Sequence, residues 1–146
     1  MNSSVKCLKL SMFENRKRLL LDRGPSWPDY HKAKPFMIRY YLLFRNRPRW
    51  FPFNIFLHKI LKSDLGDLHD HYWSYMTLVL KGGYWETTKN GRFWRGPGYI
   101  GVRKASDTHS LTIPKGKVAW TLIFVGPNKG SKQFANFNKS SQNPHK

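Results

Sequence analysis

Apolar and polar residues alternate along several short segments of the chain, and a period of two is typical of β-strands. Glycine, proline and asparagine separate these segments, which are rich in β-branched and aromatic residues. The predicted strands cover 37–44, 53–62, 72–80, GYWETT from Gly83, 92–95, 99–104, 109–113 and 118–125. Since no helical segment between them is long enough for a crossover connection, the pattern predicts an all-β antiparallel barrel or jelly roll.

One turn between two predicted strands has a specific signal. The segment KNG ends at Gly91 and separates GYWETT from RFWR. Asn-Gly supplies the positive φ angles that a tight two-residue turn needs. The two flanking strands are therefore predicted to form a hairpin.

The two ends of the chain differ from this strand-rich middle. The spacing of Phe13, Leu19 and Leu20 predicts a short helix over residues 12–22. From Asn128 onward the chain is polar, basic and without periodicity, which predicts a flexible tail. The predicted organisation is an N-terminal helix and extension at 1–35, one β-barrel domain at 36–126, and a flexible basic tail at 127–146.

Composition limits the kind of protein this is. The chain has 146 residues, enough for one domain, and a formal net charge of +18. Such a surface attracts anionic substrates and, without specificity, nucleic acids, although no recognition helix or zinc finger accompanies the charge. Cys7 is the only cysteine, so no intrachain disulfide can form. No apolar run is long enough to span a membrane and no signal-peptide core is present, so we expect a soluble cytoplasmic protein with no membrane partner.

Three histidines are the strongest candidates for chemistry. His69 and His71 are two residues apart, so on a strand they share one face with Tyr75. His109 shares an apolar, inward face with Ile113, whereas the intervening Ser110 is predicted to face outward. Imidazoles from two strands that meet inside one barrel suit Zn, Cu, Fe or Ni. The alternative is that His109 is a hydrogen-bonded core histidine and that the His-x-His pair binds no metal.

The spacing of these residues resembles two motifs of the cupin superfamily. HDH at 69–71, followed by Tyr75 and Gly82, resembles the first motif, in which a glutamate usually stands where Tyr75 is. The GPG turn at 96–98, the strand after it and His109 resemble the second motif, which supplies the last metal-ligand histidine. The likeness covers about 36–126 and implies a single-domain, cupin-type jelly roll, also called a double-stranded β-helix.

More narrowly, four segments look like a group of small uncharacterised cupin-like proteins of bacteria, phages and large viruses. They are LHDHYW, LVLKGGYWE, GRFWRGPG and WTLIFVGP. A viral origin would place the protein in the cytoplasm of the host cell. This resemblance specifies the fold and not the reaction.

The sequence also departs from the cupin pattern. The second motif lacks its Pro-x-Gly, and Ile113 replaces its asparagine. With Tyr75 in place of the glutamate, His69, His71 and His109 remain as ligands, which resembles the thiol dioxygenase branch, where three neutral imidazoles hold Fe(II). The resemblance implies Fe(II) as the metal, with Zn, Mn or Ni as alternatives. Because a neutral ligand set leaves the metal its full charge, an anionic substrate can bind beside it.

Four further residues receive weaker assignments, each with a structural alternative. Tyr75 is a donor of a proton or hydrogen bond to a metal-bound group, or an aromatic residue of the barrel wall. Glu86 is a displaced ligand or an acid–base group, or an ordinary strand-end carboxylate. Arg103, on the face opposite Val102, binds a substrate carboxylate or phosphate, or lies on the outer surface. His58 has a direct role in the chemistry, or is part of the core or of a pocket wall.

Three functions remain open on the sequence alone. The first is a metal-dependent, dioxygenase-like oxidation of a small anionic molecule. The second is a metal-independent sugar-nucleotide isomerase or epimerase with His71 and Tyr75 as acid–base groups. The third is a non-catalytic, basic module that binds nucleic acid or protein. The fold does not decide among them, because one fold hosts all three. A homodimer is compatible with each.

Overall fold

The computed structural model describes residues 15–21, 30–63, 71 and 73–128, and nearly all of its regular structure is strand. A short 3₁₀ helix, Tyr30–Lys32, precedes the second strand. The strands are β1 Lys17–Leu21, β2 Pro35–Tyr41, β3 Asn54–Ile60, β4 Trp73–Lys81, β5 Tyr84–Thr88, β6 Gly91–Arg95, β7 Ile100–Arg103, β8 His109–Thr112 and β9 Ala119–Asn128.

Strand pairing forms two sheets, and each pairing is antiparallel. The larger sheet has the order β1-β2-β3-β9-β4-β7, and the smaller has the order β6-β5-β8. The last strand, β9, lies between β3 and β4, so strands distant in sequence become neighbours. This two-sheet arrangement is that of a jelly roll, and it confirms the predicted all-β class.

The core lies between the two sheets. In β3 every second residue is buried, as a strand with one face on the core requires. Tyr84 of the smaller sheet and Ile113, just after β8, pack in one cluster with Met37, Ile60 and Val79 of the larger sheet. A second cluster contains Tyr41, Phe56, Ile123 and Val125. The sheets therefore bury their inner faces against each other.

Two turns contain glycines that belong to the sequence motifs. Gly82, in the connection from β4 to β5, has a φ of 78°, and a Cβ there would collide with the carbonyl oxygen of Val118. The KNG segment forms the predicted hairpin, in which Thr88 pairs with Gly91 and the two residues between them form the loop.

The helix predicted over residues 12–22 is wrong. Lys17–Leu21 form β1, in which Leu20 lies opposite Met37 of β2 and packs against the core. An isolated helix this short is marginal, whereas pairing with the edge of β2 satisfies the backbone groups and also buries Leu20. Residues 12–14 and 22 lie outside the described residues, as does the predicted tail after Asn128.

Among the residues that the structure describes, none belongs to a helix of the length and hydropathy that a membrane crossing requires.

Candidate functional site

A cavity of about 150 Å³ lies between the two sheets and has a mostly apolar wall. Its polar wall includes Arg39, His58, His71, Tyr75 and His109. Strands β2, β3, β4 and β8, together with the residues just before β4, supply these side chains. The cavity therefore brings together the candidate residues His71, Tyr75 and His109, with His58 beside them.

His71 and His109 meet in this cavity. Their Nε2 atoms are 2.8 Å apart, and the two rings lie edge to face with centroids 5.0 Å apart. The backbone N–H of His71 donates to the carbonyl oxygen of Ala105 at 3.1 Å, which places His71 beside the loop that leads to His109. The inward orientation predicted for His109 is confirmed, since its ring is buried and lines the cavity.

Glu86 holds the other side of the His109 ring. Its Oε1 accepts from His109 Nδ1 at 2.9 Å and from Arg103 Nε at 3.1 Å. Its Oε2 accepts from Arg95 Nε at 2.8 Å and from Arg103 Nη2 at 2.5 Å. Glu86 is only 3% exposed, so this carboxylate is a fully engaged, buried anion between two arginines and a histidine. The interpretation of Glu86 as an ordinary strand-end carboxylate is therefore wrong.

Glu86 is ionised at neutral pH, although its burial opposes the charge. Burial raises its pKa. The hydrogen bonds from His109, Arg103 and Arg95 and the charge of Arg103 outweigh this effect and lower the pKa to about 2. An ionised carboxylate only accepts hydrogen bonds, so His109 carries a proton on Nδ1. In a neutral His109 ring, the lone pair of Nε2 then points toward His71 and the cavity.

Tyr75 completes the polar group around His109. Its hydroxyl oxygen is 3.2 Å from His109 Nε2, and its ring packs edge-on against His71 at 5.0 Å between centroids. Burial raises the pKa of Tyr75 strongly, and the charge of Glu86 adds to this effect, so the phenol stays protonated. Tyr75 is therefore a neutral hydroxyl that can donate a hydrogen bond into the cavity.

Arg103 does not lie on the outer surface, which was one of the two positions predicted for it. Val102 on the opposite face is 69% exposed, whereas the Arg103 side chain turns inward and binds Glu86 and the hydroxyl of Tyr99. Burial lowers the pKa of Arg103, but hydrogen bonding to Glu86 and its charge raise it above the ordinary value. Arg103 thus helps to position Glu86, and through it the ring of His109.

Sequence reasoning missed two arginines and misplaced one serine. The hairpin register could have identified Arg95 as a partner of Glu86. It pairs Arg95 with Tyr84, and Tyr84 lies on the same face of β5 as Glu86. The alternation of β2 could have placed Arg39 in the interior, because Arg39 shares the inner face with the buried Met37. Ser110, predicted to face solvent, is only 6% exposed, so the outer face of β8 is also covered.

The third predicted ligand, His69, lies outside the described residues. Among residues 15–21, 30–63, 71 and 73–128, no three His, Cys, Asp or Glu side chains form a group arranged to hold a metal ion. The described part of the predicted ligand set is the pair of His71 and His109.

The low pKa of Glu86 predicts an acid-dependent loss of stability. Its pKa in the folded protein, about 2, is below its ordinary value of 4.5, so the stabilisation is complete above about pH 4.5 and is lost as the pH falls toward 2. The shift corresponds to about 3 kcal/mol. Urea unfolding of wild type and Glu86→Gln between pH 6 and pH 2 should show their free energies of unfolding converging by about this amount. Parallel pH profiles would contradict the prediction.

Solved structures with similar folds include three that can be compared over most of their length. The polyketide cyclase RemF from Streptomyces resistomycificus has a TM-score of 0.53 at 15% identity, covering 71% of this chain and 79% of that one. KdgF from Halomonas sp. has 0.51 at 14%, covering 65% and 84%. A Cupin 2 conserved barrel domain protein from Salinispora arenicola CNS-205 has 0.51 at 10%, covering 71% and 84%.

No protein-family model matches the sequence, and no curated protein does either. At these levels of identity the structural similarity establishes the fold. The chain therefore has the cupin fold that its two motifs predicted.

Proposed function

We propose that this protein binds one divalent transition-metal ion through His71 and His109, with His69 as the third ligand, and acts on a small anionic molecule in the adjoining cavity. One observation carries the proposal. Buried Glu86 fixes the Nδ1–H of His109, and the Nε2 of the same ring faces the Nε2 of His71 at 2.8 Å.

The donor set fits a metal ion on two grounds. A metal-binding histidine usually donates its other ring N–H to a carboxylate or carbonyl group, which is the bond that His109 makes to Glu86. Two nitrogens that each lie about 2.1 Å from one metal ion, at a right angle, are about 3 Å apart. The separation of 2.8 Å between the two Nε2 atoms is close to that value.

Fe(II) is the metal we propose, and Zn, Mn and Ni are the alternatives. Iron held by neutral imidazoles would supply the activation of oxygen for the oxidation of the bound molecule. The residues of the chain have separate tasks. Glu86 and Arg103 hold the ring of His109, whereas the protonated Tyr75 donates a hydrogen bond to a group bound in the cavity.

The proposal is tested first by metal content. Protein purified without a histidine tag is incubated separately with Fe(II), Zn(II), Mn(II) or Ni(II), passed through a desalting column and analysed for each element. We expect close to one ion per chain for at least one metal. Protein that stays metal-free with all four ions would overturn the proposed function.

Oxygen consumption then tests the reaction class. Iron-loaded protein is supplied with a panel of small carboxylic acids in an oxygen electrode, and zinc-loaded protein is the matched control. We expect oxygen consumption by the iron-loaded protein and none by the zinc-loaded protein. Equal rates with both metals would exclude the oxidative reaction.

A second candidate function rests on the contact between Tyr75 and His109. Glu86, His109 and Tyr75 form a hydrogen-bonded chain, an arrangement in which a carboxylate orients an imidazole base next to a hydroxyl. This chain supports metal-independent acid–base catalysis, such as the isomerisation or epimerisation of a sugar nucleotide. Turnover that persists after chelation of all metal would favour this second function.

A further inference from the structure

Arg39 lies on the inner face of the larger sheet, where arginine is unusual. Its neighbours on the same face of β2 are Met37 and Tyr41, and both are buried. Across the sheet it pairs with His58 of β3, and both side chains line the cavity. A cation thus occupies a position that the strand pattern assigns to an apolar residue.

Neighbouring side chains hold the guanidinium group in a defined orientation. Its Nε donates to His58 Nε2 at 2.9 Å, and its Cζ lies 4.5 Å from the ring centroid of Phe56 and 6.0 Å from that of Trp73. Burial lowers the pKa of His58 well below its ordinary value, and the charge of Arg39 adds to this, so the ring is neutral and accepts the bond. The Arg39 side chain also makes a hydrogen bond with Tyr41. These contacts engage two of its five N–H donors and one face of the guanidinium, and the other donors remain for a ligand.

Arg39 has no anionic partner in the part of the chain that the structure describes. The acidic residues there are Glu86 and Asp107. Glu86 binds His109 and two other arginines, and Asp107 accepts from the backbone N–H of Lys104 at 2.8 Å. Since burial lowers the pKa of Arg39, its charge is destabilised where it stands. Arg39 is half-buried, and a cation that is withdrawn from water without a counter-charge is destabilised unless a ligand supplies one.

We infer that Arg39 binds the carboxylate group of a small, otherwise apolar monocarboxylic acid in this cavity. The inference rests on the proposed function and names the substrate class of the same site. The planar guanidinium presents a pair of N–H donors that matches a carboxylate. The cavity of about 150 Å³ is comparable to one that holds benzene, so the acid is small.

The surroundings favour a carboxylate over a phosphate. The lysine and arginine residues that line the cavity, among those described, are Arg39 and Lys62. Lys62 already interacts with another group, so Arg39 is the residue that neutralises the ligand. A single guanidinium balances one negative charge, whereas a phosphate dianion usually recruits several donors. The aromatic rings of Phe56 and Trp73 line the same cavity and suit an apolar body.

Calorimetric titration of the protein as purified tests this inference. The probes are benzoate, isobutyrate and hexanoate, with benzamide as the neutral counterpart of benzoate and inorganic phosphate as the competing anion. We expect benzoate to bind and benzamide to bind at least about tenfold more weakly. Arg39→Met should raise the Kd for benzoate by about 10- to 100-fold, because a charge-assisted hydrogen-bonded pair is lost.

Two further variants separate recognition from loss of fold. Arg39→Lys keeps the charge but not the paired donors, so we expect an intermediate loss of affinity. Arg92→Met is the matched control, because Arg92 also stacks on an aromatic ring, Trp85 at 5.1 Å, but is exposed and outside the cavity. Its affinity should equal that of wild type. Thermal unfolding of each variant verifies the fold.

Metal content measured on the same samples distinguishes the two proposals. Loss of benzoate binding in Arg39→Met at unchanged metal content supports the inference. Arg39-dependent benzoate binding by a protein that stays metal-free after incubation with all four ions also supports it, and overturns the metal proposal alone. Unchanged affinity in Arg39→Met, no binding of any carboxylate by wild type, or tighter binding of phosphate than of all three acids would overturn the inference.

Discussion

His109→Ala is expected to reduce the bound metal from close to one ion per chain to less than about a tenth of that. The substitution removes the Nε2 atom that faces His71 and leaves Glu86 with its two arginine partners. Because a site with one ligand fewer and no oriented imidazole binds weakly, the effect on metal affinity should exceed the roughly 10- to 100-fold typical of outer-shell changes. Elemental analysis after gel filtration measures it.

The control for this substitution is His31→Ala. His31 lies in the 3₁₀ helix Tyr30–Lys32 and is exposed. The variant therefore loses an identical side chain at a position outside the cavity. Its metal content should equal that of wild type. Equal metal content in wild type and His109→Ala would reduce His109 to a hydrogen-bonded core histidine.

Glu86→Leu is expected to cause the largest loss of stability, on the order of 3–5 kcal/mol. The leucine removes the acceptor of Arg95, Arg103 and His109 and leaves two arginines facing each other without a counter-charge. These side chains are at most 19% exposed, so water replaces the lost acceptor poorly. Urea unfolding near pH 7, with the midpoint and slope compared between variants, measures the change.

Asp107→Asn is the matched control, because Asp107 is the other described acid and only caps a turn. Its loss should stay below about 1 kcal/mol. A Glu86→Leu protein that unfolds at the wild-type urea concentration would show that the buried cluster adds nothing to stability.

The two substitutions act on one connected group of side chains. Arg95 and Arg103 hold Glu86, Glu86 holds His109, and His109 faces His71 and Tyr75. Stability and chemistry therefore share residues at this site. We expect the effects of changes within the group to be non-additive, because neighbours in one hydrogen-bonded network are coupled.

Local pattern accounts for most of what was predicted correctly. A residue on a strand shares a face with its second neighbours, so alternation alone placed His109 inward and Arg103 opposite Val102. The turn chemistry of Asn90-Gly91 likewise predicted the hairpin between β5 and β6. These features depend on residues close together in the sequence, and a single chain segment specifies them.

Pairing between distant segments accounts for what was missed. Lys17–Leu21 became a strand because the edge of β2 was available for pairing, which no local pattern can indicate. Similarly, Glu86 is buried because β8 lies beside β5 and because β7 and β6 direct two arginines toward it. Ser110 is buried, although the alternation along its strand predicted that it faces solvent.

The sequence by itself determined the all-β class, most strand positions and the inward face that carries His109. The tertiary structure decided which inward residues meet. The strand order places β9 between β3 and β4 and sets the smaller sheet against the larger, so that His71 contacts His109 and Arg39 lines the same cavity. Alternation within one strand specifies the face on which a residue lies, whereas the distance between residues on two strands depends on how the whole chain packs.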